Sequence, residues 1–319
     1  MKRNLVLSAV SVLLLGATTL SASTYQYPSF LPPNGMRIPV GSPQSRGMNE
    51  AEYNKVLDAI QRVYAPIVAK HGGVLQINRL WTDDTVNASA QQSGNKFILN
   101  MYGGLARHAD ITMDGLSLVA CHELGHHLGG APKSSGWSNG WASIEGEADY
   151  YATLKCLRFI FADPGARSFT QPRDDDQVAI KDCDAAFSSP DDRGICIRGA
   201  KAGKSVTALF MDLHHEATEP HFDTPDTDVV AQMYEDHPAT QCRLDTYLQG
   251  ALCAQPASAP LSDTDPTAGA CTRGGGFTTG LRPLCWYKPA GSNEFSAHGN
   301  AAGTPTAGPA FSALRGPAW

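Results

Sequence analysis

His122 and His126, with Glu123 beside the first, are the residues whose types and spacing could do chemistry in this 319-residue chain. Residues four apart on an α-helix differ by about 40° in azimuth, so imidazoles at 122 and 126 share a face and can bind one metal ion together. Glu123 sits about 100° round, within reach of a water on that ion. Two metal ligands with a carboxylate base in a His-Glu-x-x-His segment form the zinc hydrolase constellation. Catalytic zinc usually takes three protein ligands and leaves one position for water, so the two histidines need a third partner. Glu145 and Glu147 are the candidates. Glu145 and Asp149 are four apart and share a face, so the glutamate can bind metal while Asp149 fixes the tautomer of a histidine ligand from behind. Glu147 lies about 200° from Glu145 and points away.

These residues need two helices. Asp114 to Ala120 is apolar at helical spacing and Gly129-Gly130 is a stop signal, so the motif falls inside a short helix. Ile144 to Leu157 has good helix formers and an apolar stripe at 144, 148, 151 and 154, which puts the acidic residues on a second helix. Asn49 to Lys70 is amphipathic, despite Pro66, and should back a sheet. Val74 to Trp81, Thr85 to Gln91 and Lys96 to Tyr102 are strand candidates, with Ser93-Gly94-Asn95 as a hairpin turn. Asp174 to Phe187, Arg193 to Ala217 and Asp226 to Cys253 add mostly helical segments. The expected class is α+β, with one catalytic unit over residues 49–253. An extended, proline-rich arm over 24–48 precedes it, and a largely irregular, cysteine-containing extension over 254–319 follows.

In this order, Asp83-Asp84-Thr85-Val86-Asn87-Ala88-Ser89-Ala90, Lys96 to Leu99, Gly103-Gly104-Leu105, His122 to His126 and Glu145-x-x-x-Asp149 resemble the HtpX/BepA-like and CAAX-prenyl-protease-like gluzincin metallopeptidases. His237-Pro238, with Arg243 six positions after the histidine, resembles that family's late His-Pro motif and following arginine. The match spans roughly residues 50 to 253. It implies a zincin-like fold with a small antiparallel sheet, an active-site helix and a mostly helical C-terminal part. It also implies one zinc ion on His122, His126 and Glu145, with Glu123 as general base and His237 and Arg243 stabilising the tetrahedral intermediate. An edge strand carrying Val86, Asn87 and Ala88 would pair with the substrate backbone, since strand addition gives affinity without much sequence demand.

Met1-Lys2-Arg3-Asn4, the apolar run Leu5 to Leu15 and Ser21-Ala22-Ser23 read as a secretory signal peptide over residues 1–23. No later stretch is long and apolar enough to span a bilayer, so a periplasmic or secreted location without stable membrane insertion is expected. The family's membrane-embedded members differ in this. A formal charge of −6 with no clustered basic run gives no footprint for nucleic acid. Eight cysteines in an exported chain should be oxidised. Cys242 and Cys253 stand about 16 Å apart along one helix and must pair elsewhere. Cys121 with Cys156 is disfavoured on the same kind of reckoning, and Cys271 with Cys285 is the expected local pair. His127 and the remaining histidines lack ligand spacing.

The expected function is an exported zinc-dependent endopeptidase acting on unfolded or extended protein substrates. A rival is a zinc-binding but latent or non-proteolytic chaperone or binding protein, with His237 on the fourth metal position. A third reading is a disulfide-stabilised structural protein with a vestigial metal site; intact Glu123 argues against it.

Overall fold

The computed structural model describes residues 28–290 apart from 137, 139 and 170–175. The expected signal peptide over 1–23 and the last part of the C-terminal extension lie outside the described residues.

Helix α1, Glu50–Lys70, starts at a capping box in which Asn49 and Glu52 satisfy each other's backbone N–H groups. Its buried face, including Tyr53, Leu57, Ile60 and Tyr64, packs on the sheet and on the motif helix. Strands β1, Val74–Leu80, β2, Ala88–Ser93, and β3, Lys96–Tyr102, form a sheet in the order β1-β3-β2. The turn at Gly94, with φ of 59°, joins β2 and β3 as an antiparallel hairpin. The expected purely antiparallel sheet is corrected to a mixed one, because β3 inserts between β1 and β2 and runs parallel to β1. The second strand also begins later than expected, at Ala88, leaving Val86 and Asn87 just ahead of it.

After the short helix α2, Gly103–Arg107, helix α3 spans Met113–Leu128. Thr112 caps it by accepting from the Gly115 N–H, and Gly129 closes it. Nearly every residue of α3 is buried, because sheet and α1 cover one side while later helices cover the other. Helix α4, Glu145–Tyr151, crosses α3 where Gly125 meets Ala148. A Cβ at 125 would stand 2.8 Å from the Ala148 Cα and carbonyl oxygen. This close approach sets Glu145 opposite the two histidines. The chain continues through a π-helical stretch, Ala152–Cys156, into α5, Leu157–Ala162.

Helices α6, Gln177–Ala186, α7, Pro190–His214, and α8, Thr240–Leu252, complete the helical part. The expected helix over 226–253 is helical only from Thr240. Residues 226–239 instead run alongside the C-terminal extension, where Val230 N–H donates to Leu284 O and Tyr234 N–H to Trp286 O. Residues 254–290 carry no helix or strand, yet they are anchored. Trp286 is fully buried over Gly146, where a Cβ would strike its ring, and Arg282 grips Glu147 through two hydrogen bonds of 2.5 and 2.7 Å.

Four disulfides link Cys121–Cys156, Cys183–Cys196, Cys242–Cys285 and Cys253–Cys271. Cys242 and Cys253 do pair elsewhere, each with the extension. Two pairing expectations are corrected. Cys271 joins Cys253, not Cys285, because the extension wraps back along α8. Cys121 does join Cys156, with Cα atoms 5.5 Å apart. The reckoning against this bridge put Cys121 at the metal end of its partner helix. On α3, however, its side chain leaves the flank opposite Glu123, toward the π-helical stretch packed there, whose wider turns alter the azimuth of Cys156. Four disulfides fit an oxidising, exported compartment, and no described helix is long and apolar enough to cross a membrane.

Candidate metal centre

Helix α3 delivers His122 and His126 to one face, and the first turn of α4 brings Glu145 against them. The two Nε2 atoms are 3.1 Å apart. Glu145 Oε2 lies 3.2 Å from His122 Nε2, and Oε1 lies 3.7 Å from His126 Nε2. All three side chains are buried, and one ligand atom from each falls within 4.8 Å of the others. Such a group could hold a metal ion.

The remaining ring nitrogens fix the tautomers. His122 Nδ1 donates to Asp149 Oδ1 at 2.7 Å, and His126 Nδ1 donates to the Ser143 carbonyl at 2.8 Å. With hydrogens on both Nδ1 atoms, neutral imidazoles would turn both Nε2 lone pairs toward Glu145. Asp149 is itself held: Arg243 donates to it from Nε and Nη2 at 2.7 and 2.8 Å, and the Tyr247 hydroxyl donates at 2.7 Å. Among the described residues, both oxygens of fully buried Glu123, and Oε2 of Glu145, have no hydrogen-bond partner. A buried carboxylate without a partner is costly. A divalent cation with a coordinated water would satisfy these oxygens and take up the converging nitrogens, so the residues present fit a divalent metal ion.

Burial and neighbouring charges pull these groups in different directions. Burial opposes a charge on His122, but Asp149 and Glu145 outweigh it and lift the imidazole to about 9. Burial pushes His126 down to about 4. It works against ionised Glu145 too, yet His237, His126 and His122 hold that carboxyl below the usual range. Burial pushes Glu123 up to about 8, with His122 acting against it. A divalent cation nearby would lower that carboxyl again.

His237 lies in the loop ahead of α8, its Nε2 3.6 Å from Glu145 Oε2, and it donates from that atom to the Ser29 carbonyl at 2.7 Å. Its Nδ1 faces Asp236 Oδ1 at 2.8 Å. Arg243, buried on α8, is committed to Asp149, and its Nη1 donates to the Phe30 carbonyl at 2.9 Å. Val86, Asn87 and Ala88 lead into β2 at the sheet edge, and that edge is paired: Phe30 N–H donates to Ala88 O at 3.1 Å. Glu147 is turned away from the triad as expected, but it is fully buried on Arg282.

Sequence reasoning missed Tyr247, Ser143 and Phe30. Tyr247 is four residues after Arg243 and so shares its face, a signal that was present. Ser143 acts through its backbone carbonyl, which any residue type would supply. The second group with metal-ligating residue types, Asp226 with Cys242 and Cys285, is spent on the disulfide between those cysteines. No family model, curated protein or solved structure matches the chain.

Proposed function

We propose that this chain is a zinc-dependent peptidase of the gluzincin kind, and more particularly an exported endopeptidase akin to the HtpX/BepA-like group. The observation that carries the reading is the meeting of buried His122, His126 and Glu145, next to a buried Glu123 carboxyl whose oxygens have no hydrogen-bond partner among the described residues. Bound there, zinc supplies a Lewis acid for the scissile carbonyl and a water acidified toward neutral pH. Glu123 would serve as the base that takes a proton from the attacking water and passes it to the leaving amine. His237, already donating to a backbone carbonyl beside the triad, stabilises the oxygen on which charge develops. Arg243 and Tyr247 hold Asp149, and through it they fix the orientation of His122. Arg243 also offers Nη1 to the next carbonyl along a bound strand.

The second reading, a zinc-binding protein that does not cleave, draws support from His237 Nε2 at 3.6 Å from Glu145 Oε2. With a metal bound, that imidazole would be available as a further ligand beside the three. Hydrolysis of casein by the zinc-loaded chain separates the two readings. Cleavage that a chelator stops and added zinc restores is the expected result. Stoichiometric zinc without cleavage would favour the binding protein.

A further inference from the structure

The edge of β2 nearest the metal triad is occupied by the chain's own arm. Phe30 N–H donates to Ala88 O and Ala90 N–H to Pro28 O, both at 3.1 Å, so residues 28–30 run antiparallel to β2. Asn87 clamps Leu31 from both sides: its Oδ1 accepts from Leu31 N–H at 2.9 Å, and its Nδ2 donates to Leu31 O at 3.0 Å. These are generic backbone contacts, of the kind that recognise any extended peptide. The peptide group between Ser29 and Phe30 is the one presented to the centre. Its carbonyl accepts from His237 Nε2, which itself stands beside Glu145. The following carbonyl, of Phe30, accepts from Arg243. The Phe30 ring fills a pocket formed by His122, 5.1 Å away edge-on, by Phe210 at 5.2 Å and by the Arg243 guanidinium at 4.8 Å.

We propose that residues 28–31 are a built-in ligand of the peptide-binding cleft. They lie where an extended substrate would lie, with Phe30 in the pocket that reads the residue after the cut. The cleft thus takes extended peptides carrying a large apolar side chain at that place, and a substrate enters it by displacing the arm. This rests on the reading of the cleft as a substrate track. An ordinary core strand would make some of the same contacts, since Phe30 and Leu31 are both fully buried. It would not exchange places with a free peptide.

The test uses the zinc-loaded full chain and a capped peptide of residues 25–33, Tyr-Gln-Tyr-Pro-Ser-Phe-Leu-Pro-Pro. Hydrogen exchange read by mass spectrometry should show the Phe30 and Leu31 amides protected in the chain alone and exposed once the peptide saturates it. Phe30→Ala, which removes the anchoring ring, should bind a labelled copy of the peptide about tenfold more tightly than the unaltered chain does. Peptide binding that leaves those amides protected would overturn the proposal. So would no binding at millimolar peptide, or a folded Phe30→Ala that binds no better. If Phe30→Ala does not fold, exchange in the unaltered chain decides. Displacement of the arm with no hydrolysis of casein would keep the proposal and remove the peptidase reading. Casein hydrolysis with the arm amides still protected would do the reverse.

Discussion

Asp149 shows how much of the candidate centre depends on residues that need not touch a metal. It aligns His122 through Nδ1 and is held by three donors from α8. Asp149→Asn weakens its charge-assisted hold on both His122 and Arg243. Zinc affinity, measured by competition with a chromogenic chelator, should fall about 10- to 100-fold. An unchanged affinity would show that His122 is oriented by packing alone. At this scale the sequence was most legible where spacing alone fixes direction. The four-residue steps from His122 to His126 and from Glu145 to Asp149 put each pair on one helical face. The support from Ser143 was not legible, because a backbone carbonyl leaves no trace in residue type.

Gly125, in the middle of the motif, lets α3 and α4 approach until their backbones touch at Ala148. Gly125→Ala should cost roughly 1–3 kcal/mol by overpacking, read by urea denaturation, and should lower zinc affinity because Glu145 moves away with α4. Loss of stability with unchanged affinity would show that the triad does not depend on this crossing. On α8, Asp245 accepts from the Asp226 N–H and from Gln241, and burial raises its carboxyl to about 6 from an ordinary 3.8. Folding therefore favours the protonated form, so this contribution to stability is full below 3.8 and is lost as pH rises through about 6. Asp245→Asn should gain on the order of 1 kcal/mol over the native chain at pH 8 and nothing at pH 3, measured by thermal unfolding. Equal effects at both pH values would contradict this. The motif helix and α1 were legible from apolar periodicity, and the end of the motif helix from the stop at Gly129-Gly130. The π-helical stretch was not, since nothing in Ala152 to Cys156 marks a change of pitch, and the Cys121–Cys156 bridge was misjudged with it.

Across the whole molecule, the centre is enclosed by two segments of low sequence periodicity, the N-terminal arm and the C-terminal extension. Neither could be placed from the sequence. Proline-rich strand addition at 28–31 has no alternation to read, and the extension is held by individual anchors rather than by regular structure. Arg282 is the clearest of these anchors, reaching from the extension to buried Glu147 two residues from Glu145. Arg282→Met would leave Glu147 as an uncompensated buried carboxylate and should cost about 3–5 kcal/mol. Glu147→Met with Arg282→Met should recover most of that loss, because the desolvation cost goes with the pair. A double variant as unstable as the single one would mean that the extension is held by Trp286 and the disulfides, and not by this ion pair.

The most direct measurement compares the zinc-loaded chain with Glu123→Gln, determining zinc content and casein turnover on the same samples. One zinc ion per chain in both proteins, with turnover falling about 10²- to 10⁴-fold in the variant, is the expected result. Turnover at the native rate in Glu123→Gln, or a native chain that binds no zinc, would contradict a peptidase centre built on His122, His126 and Glu145 with Glu123 as its base.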